Sequence, residues 1–317
     1  MDISGMKVFV PNPIHQAAVE RLKEQCQAVL WDDPAIKNWR EDADAIIVRT
    51  FEVRKADIDR CKKLKVVGKH GIGVDAIDVA DAKQAGIKVV YTPYENVDSV
   101  AELAVGFMMA LSRNLYNGNK ALREGRKLPP ADYVGIELGG KTLGIVGLGR
   151  IGRRVGTILT SAFGMNVAGF DPFLPAEAWS SIPFPVKKCD RIEDMIAHAD
   201  YVTIHVPLTD GTRNLIGAPQ FPHFKPAAIL VNTSRGGIVN EEALYEALKS
   251  GKLRAAGSDV FVKEPPDKDN PLLSLDNFMG MPHIGANTAD ALYRMGMTVA
   301  ADILSVLKNE DAKYYVP

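Results

Sequence analysis

The strongest chemical signal in the chain is the run Gly147-Leu148-Gly149-Arg150-Ile151-Gly152, answered 19 residues later by Asp171. A GxGxxG on its own is weak, but this one follows the apolar run Thr142 to Val146 and opens a helical pattern. Ile151, Val155, Ile158, Leu159 and Ala162 recur at helical spacing, and Val167 to Phe170 reads as a second buried strand ending at Asp171. Gly147 permits the tight turn, Gly149 lets backbone amides approach a pyrophosphate, and Gly152 lets the helix pack closely on the strand. The helix N-terminus then turns its partial positive charge toward the phosphates. Asp171 would accept hydrogen bonds from an adenosine ribose and repel a 2′-phosphate, so the expected cofactor is NAD (NADH) rather than NADP.

A nicotinamide beside a carbonyl compound needs two kinds of help: a group that binds and polarises the carbonyl, and a proton donor for the oxygen that becomes an alcohol. Three segments offer such groups. Asn232-Thr233-Ser234-Arg235-Gly236-Gly237 follows the predicted strand Ala228 to Val231, Asp259 to Pro265 follows Ala255 to Ser258, and Pro282-His283-Ile284-Gly285 follows Phe278 to Met281. Singly, an arginine at a strand end reads as a surface ion pair, a glutamate before two prolines as a solvated loop residue, and a histidine as structural. Together, each just beyond a strand of a dinucleotide fold, they form a candidate site. Six histidines lack HExxH or comparable ligand spacing, and Cys26, Cys61 and Cys189 form no CxxC pair, so neither a metal site nor a disulfide framework is expected.

The elements that must hold these residues alternate along the chain. Lys7 to Val10, Ala45 to Val48, Val89 to Val90, Leu143 to Val146, Val167 to Phe170, Tyr201 to Ile204 and Ala228 to Val231 are short strand-like runs separated by helical stretches. Such alternation implies parallel sheets covered by helices on both faces. The glycine fingerprint starts near residue 142, so the preceding α/β segment forms a domain of its own. The expected architecture is α/β: a doubly wound, parallel-sheet (Rossmann) NAD-binding domain, residues 99–284, inserted into a smaller flavodoxin-like substrate domain, residues 1–98 and 285–317. Ser99-Val100-Ala101-Glu102 matches a capping box, and Val100, Leu103, Ala104, Phe107, Met108, Leu111 and Leu115 follow at helical spacing. Asn287 to Leu307 reads as a last helix returning to the first domain, and the cleft between the domains is the expected active site.

Composition sets the partners. With 317 residues, 46% hydrophobic, 24% charged and a net charge of -1, the chain suits two globular domains and offers no electrostatic case for nucleic acid or an anionic membrane. Its start lacks a basic segment followed by an apolar one, and Leu103 to Leu111 is too short to span a bilayer, so a cytoplasmic protein with small-molecule partners is expected.

The chain resembles the D-2-hydroxyacid dehydrogenases, within them the phosphoglycerate dehydrogenase-like branch. The motifs that carry the resemblance run in order from Lys69-His70-Gly71-Ile72-Gly73-Val74-Asp75 through Val97 to Glu102, the glycine fingerprint and His205-Val206-Pro207-Leu208-Thr209 to the Arg235, Glu264 and His283 segments. The resemblance implies that Arg235 holds the carboxylate and carbonyl of a 2-keto acid and that His283 is the acid/base. Glu264 is implied as the partner that orients the ring and stabilises its charged form, raising the histidine pKa. It further implies that the backbone at Ile72 and Gly73 receives the substrate carboxylate and that Arg150 and Ile151 lie on the pyrophosphate. Val206, Thr233, Ser234 and Asp259 are implied to line the nicotinamide half and Gly285 to bind the cofactor, and the family implies a homodimer paired through its nucleotide domains, for which the Phe107 to Leu115 helix is suited.

Departures set the open questions. Lys69 and His70 stand where the branch often has an arginine-containing segment, while Arg49 and Arg54 are basic residues of the first domain; together they would favour a second anionic group on the substrate. A formate-type relative would carry glutamine in place of Glu264 and a phosphite-type relative lysine in place of Ile72; neither is present. The chain stops at Pro317 without a regulatory domain, which argues against feedback control of that type. The alternative to a dehydrogenase acting on a small polar or anionic keto acid is a dinucleotide-sensing, corepressor-like binding protein on the same fold.

Overall fold

The computed structural model describes residues 1–127 and 129–317, which divide into two compact units: Met1–Asn96 with Ala286–Pro317, and Val97–Gly285. Every pairing between named strands is parallel.

In the smaller unit, β1 Lys7–Val10, β2 Gln27–Leu30, β3 Ala45–Val48, β4 Val66–Lys69 and β5 Lys88–Val90 lie in the order β2-β1-β3-β4-β5, the flavodoxin-like arrangement. Val8, Val10, Ala45, Ile47 and Val66 belong to one core cluster, and Phe9, Ile46, Val48, Val67 and Val89 to another. Successive side chains leave a strand on opposite faces, so the two clusters occupy the two faces of the sheet. Burial on both sides is why these strands read as unbroken apolar runs. The helix Ala289–Leu307 closes one face: a Cβ on Gly68 of β4 would lie 2.7 Å from Val299 Cγ2 and 3.0 Å from Ile303 Cδ1, so the missing side chain is the room the helix uses. That helix starts two residues later than the expected Asn287 because Thr288 caps it, its hydroxyl accepting from the Ala291 amide.

The larger unit has seven strands: β6 Thr142–Val146, β7 Asn166–Phe170, β8 Lys187–Lys188, β9 Tyr201–Ile204, β10 Ile229–Asn232, β11 Ala255–Ser258 and β12 Phe278–Gly280, in the order β12-β11-β10-β9-β6-β7-β8. The sheet is doubly wound, with the order reversing between β6 and β9, and folds of this kind bind ligands outside the carboxyl ends of the strands at that switch point. Its two cores again follow the pleat, Leu143, Ile145 and Val231 on one face and Val146, Val202 and Leu230 on the other.

Several expectations are corrected. The Val97–Ser112 helix begins two residues before Ser99, which is buried inside its first turns, so Ser99 to Glu102 is not a capping box. The apolar stripe does not continue to Leu115: Asn114 takes a left-handed conformation at φ 49°, a second helix starts at Leu115, and Leu115 is 58% exposed. Phe107, Met108 and Leu111 are spent in the core of their own unit, Phe107 against Gly257, rather than left for pairing. The strands β2, β4 and β8 were not among the expected runs. Gln27 breaks the first, Gly68 and Lys69 the second, and the third is a two-residue edge of exposed lysines. Among the described residues, no helix is long and apolar enough to cross a membrane.

Candidate active site

The fingerprint turn follows β6. Gly147 has φ +89°, and a Cβ there would sit 2.6 Å from the His205 carbonyl and 2.7 Å from Val206 Cγ1, so only glycine lets the turn lie against the segment after β9. A Cβ on Gly152 would fall 2.1 Å from the Gly147 carbonyl oxygen, which fixes how closely the helix Arg150–Phe163 meets the turn. At Gly149, by contrast, a Cβ would meet nothing within 4 Å. Gly149 is also the N-cap and supplies no side-chain hydrogen bond, so no N-cap side chain satisfies the first amides of the helix beginning at Arg150 and Ile151. Asp171, just past β7, accepts from the Leu148 amide at 2.9 Å through Oδ2 and from the Phe173 amide at 3.1 Å through Oδ1, with lone pairs to spare. The Thr233 hydroxyl is buried without a partner. An open glycine cradle, a helix N-terminus, an acid after the second strand and an orphaned hydroxyl past β10 together fit a dinucleotide.

The Arg235 turn is built by Asn232, the last residue of β10 and buried. Asn232 Oδ1 accepts from the Ser234 amide at 3.0 Å and from the Ser234 hydroxyl at 2.8 Å, while Asn232 Nδ2 donates to the Arg235 carbonyl at 2.9 Å. Arg235 itself donates from Nη1 to the Ser234 carbonyl at 2.7 Å. At the next residue, a Cβ on Gly236 would lie 2.0 Å from the Phe261 carbonyl oxygen and 2.6 Å from the Val262 nitrogen. The arginine turn and the segment leading to Glu264 therefore touch backbone to backbone.

Glu264 divides its oxygens. Oε1 accepts from the Phe261 amide at 3.1 Å, and Oε2 lies 2.7 Å from His283 Nδ1. An ionised carboxylate only accepts, so Nδ1 carries the proton of this contact and Nε2 is the ring nitrogen left for chemistry. Burial works against ionisation of Glu264, but the His283 hydrogen bond and charge, the Phe261 amide and the Arg235 guanidinium outweigh it and hold the carboxyl below its ordinary value. His283 sits at φ +55°, a left-handed conformation that costs a non-glycine residue about 1–2 kcal/mol. Asp259 holds it there: its carbonyl accepts from the His283 amide at 2.9 Å, and its carboxylate from the amides of Ile284 at 2.8 Å and Gly285 at 2.7 Å. Burial pushes the Asp259 carboxyl up against the pull of those two amides. In Gly285 a Cβ would lie 3.0 Å from Asp259 Oδ2, so the close amide contact again depends on a bare backbone.

In the smaller unit, the backbone after β3 curls around Asn12, whose Oδ1 accepts from the amides of Arg49, Thr50 and Phe51. Arg49 donates through Nη2 to Asn287 Oδ1, and burial lowers its pKa. The ammonium of Lys69, at the end of β4 and buried, donates to the Arg49 carbonyl. Burial, with Arg49 and Lys69 nearby, pushes the His70 imidazole down to about 4, so His70 is neutral and adds no cation to the group. Ile72 and Gly73 are half-buried in the loop after Gly71, whose amide donates to Thr92 Oγ1 at 2.9 Å. Arg54 is corrected as a ligand candidate: it pairs with Glu52 at 2.7 Å and Asp78 at 3.3 Å and donates to the Asp75 carbonyl, tying down its own surface. Among the described residues, no group of three or more His, Cys, Asp or Glu is arranged to hold a metal ion.

Chemically, the larger unit offers a guanidinium beside a carboxylate that orients an imidazole, all past the strand ends of a dinucleotide fold: an anion and carbonyl binder next to a proton donor. Two contributors had no role assigned from the sequence. Asn232 had a legible signal, an asparagine at a strand end with serine two residues on, the pattern of an Asx turn. Gly236 had none, because the segment it touches lies about 25 residues away in the chain.

Residues 105–307 match the family model described as D-isomer specific 2-hydroxyacid dehydrogenase, NAD binding domain. The chain is 44% identical over 316 residues to D-3-phosphoglycerate dehydrogenase of Methanocaldococcus jannaschii, a match that covers 98% of this chain and 59% of that protein. It thus spans little more than half the length of that relative. It is 40% identical over 309 residues to hydroxypyruvate reductase of Thermotoga maritima, covering 95% of this chain and 98% of that one. Among solved structures, the TT0316 protein from Thermus thermophilus superposes with a TM-score of 0.90 at 32% identity, covering 98% of this chain and 100% of that one.

Proposed function

The chain belongs to the D-isomer-specific 2-hydroxyacid dehydrogenase family, and from that premise we propose that it interconverts a small D-2-hydroxy acid and its 2-keto acid with NAD(H). The observation that carries the proposal is the His283–Glu264 contact at 2.7 Å, with the Arg235 guanidinium close enough to help keep Glu264 ionised. When bound, NADH supplies the hydride that reaches C2 of the keto acid. Arg235 binds the carboxylate and polarises the carbonyl with its planar fork of donors. His283 gives the proton on Nε2 to the carbonyl oxygen in reduction and takes it back from the hydroxyl in oxidation, with Glu264 stabilising the imidazolium form. In this reading the larger unit, with Gly147, Gly149, Arg150, Ile151, Gly152, Asp171, Val206, Thr233, Ser234, Asp259 and Gly285, is the NAD-binding domain. The smaller unit is the substrate domain: the amides at Ile72 and Gly73 receive the carboxylate, and Arg49 and Lys69 favour a polar or anionic tail.

The proposal extends to a cytoplasmic homodimer. Cys26, Cys61 and Cys189 stand as free thiols, which suits a reducing compartment. Leu115, Tyr116, Leu122 and Val134 are exposed apolar residues of one stretch of the larger unit, which supports pairing through that unit. NADH consumption measured across glyoxylate, hydroxypyruvate, 3-phosphohydroxypyruvate and branched or sulfonated keto acids tests the activity. Tight NADH binding without oxidation by any of them would instead favour a dinucleotide sensor.

Two outcomes follow from single residues. Asp171→Ser removes both the ribose acceptor and the tie to the Leu148 amide at 2.9 Å. NADH should therefore lose about 1.5–3 kcal/mol, on the order of tenfold to a hundredfold in affinity, while discrimination against NADPH relaxes. Parallel titrations with the two cofactors check this, and an unchanged preference removes Asp171 from the ribose contact. The second outcome concerns pH. Glu264 lies below its ordinary value of 4.5, so its contribution is present above that value and is lost only as pH falls through the lowered one. Keto-acid reduction should show no acid-side loss from Glu264 between pH 5 and 7 (roughly, given the ordinary carboxylate range).

A further inference from the structure

We propose that Glu241 is a positioning residue for the Glu264–His283 pair, its carboxylate pinning the loop that carries Glu264 onto the helix that follows the Arg235 turn. The inference rests on the oxidoreductase reading for its consequence in turnover, but its geometry stands apart from it.

Glu241 is the first residue of the helix Glu241–Lys249, capped by Asn240, whose side chain accepts from the Ala243 amide. A carboxylate at that place is favoured by the helix dipole. Its two oxygens nevertheless leave the helix. Oε1 accepts from the Val262 amide at 2.7 Å, and Oε2 accepts from Asn270 Nδ2 at 3.3 Å. Asn270 is itself fixed, its Oδ1 accepting from the Leu272 amide at 3.0 Å at the head of the short turn Pro271–Ser274. One carboxylate thereby holds both ends of the span 262–270, with Glu264 inside it.

Val262 is the critical attachment. Its neighbour Phe261 supplies the amide that occupies Glu264 Oε1 and leaves Oε2 for His283. On its other side the Phe261–Val262 peptide is pressed by Gly236. Apolar packing cannot hold the rest of this loop: Phe261 is buried, but Val262 is 68% exposed and Lys263 reaches out to Asp267. Where few apolar contacts exist, polar ties set the position. Without the Glu241 tie, the turn from Phe261 to Glu264 keeps the burial of Phe261, the backbone contact with Gly236 and the Phe261–Glu264 hydrogen bond, but Glu264 then holds His283 over a wider range of orientations.

The test is the NMR resonance of the His283 Nδ1 proton in the full chain, whose position reports the contact with Glu264 and needs no substrate, alongside steady-state kinetics. The charged groups facing the pair are Arg235 and Asp259, and both stay in place in every variant. In Glu241→Ala the resonance should move upfield, as a weakened contact requires, in the direction of Glu264→Gln but by less, and kcat for reduction should fall roughly tenfold with NADH binding retained. Glu241→Gln keeps an oxygen for the Val262 amide without the charge and should stay near wild type. Glu241→Asp keeps the charge but draws it back by one methylene, and should shift as alanine does even if the alanine variant fails to fold. In the double variant with Glu264→Gln, Glu241→Ala should add nothing further. An unmoved resonance in Glu241→Asp overturns the proposal, as does an equal shift in Glu241→Gln, which would mark a through-space charge effect. Absence of turnover in the wild type would count against the oxidoreductase reading alone.

Discussion

His283→Ala should lower kcat by roughly 10² to 10⁴, about 3–5 kcal/mol of barrier, with NADH binding largely kept. The size follows from what is lost: a proton donor whose Nδ1 is held 2.7 Å from Glu264, leaving Nε2 free to exchange its proton with the substrate oxygen. Backbone conformation calls for a second variant. His283 sits at φ +55°, where asparagine is tolerated better than alanine. His283→Asn should therefore keep the Asp259-bound loop intact and still show the same fall in kcat. Agreement between the two variants assigns the loss to the imidazole. A large loss in alanine with near-normal turnover in asparagine would show instead that loop geometry, not proton transfer, was measured. Unchanged turnover in both would remove His283 from the mechanism.

The parts of the site that were legible from sequence are those whose chemistry is local. The fingerprint declares itself because its three glycines stand at fixed spacing in one turn, Gly152 meeting the Gly147 carbonyl and Gly149 leaving an open approach, and Asp171 lies one strand on. Strands buried on both faces, such as Tyr201–Ile204, are visible as apolar runs because nothing on either face requires a polar residue. Arg235, Glu264 and His283 were placed past strand ends by position alone, and their roles came through resemblance. What stayed hidden depends on contacts between distant segments. Nothing within the sequence near Glu241 points to Val262, 21 residues on, since an acidic residue at a helix start already has a local reason to be there. Ser99 shows the converse failure: a pattern with a local reason was present, but the helix runs through it from Val97, and Ser99, Val100 and Ala101 are buried in the fold. Arg54 likewise looked available from sequence, and only the arrangement of Glu52, Asp75 and Asp78 around it shows its donors engaged.

Gly236→Ala should cost nearly as much as loss of a reacting group although no functional atom is removed. The added methyl would fall 2.0 Å from the Phe261 carbonyl oxygen and 2.1 Å from its carbon, and both are backbone atoms that cannot rotate away. Either the Arg235 turn or the Phe261–Val262 segment must move on the order of 1 Å, and a displacement of that size at a catalytic constellation costs about 10²-fold in rate. Neither segment can move freely. Asn232 staples the first through three hydrogen bonds, and Glu241 and Glu264 tie the second. Strain should therefore appear in stability as well, by about 1–3 kcal/mol. The expected result is a fall of roughly 10² or more in kcat/KM for reduction; NADH affinity should fall by less, because the fingerprint turn and Asp171 lie on other strands and only Thr233, Ser234 and Asp259 are near the displaced segments. Combining Gly236→Ala with Glu241→Ala should be less than additive if releasing the second segment lets it yield to the methyl. Near-wild-type turnover in Gly236→Ala would mean that the Arg235 and Glu264 segments do not need to touch for the chemistry to proceed.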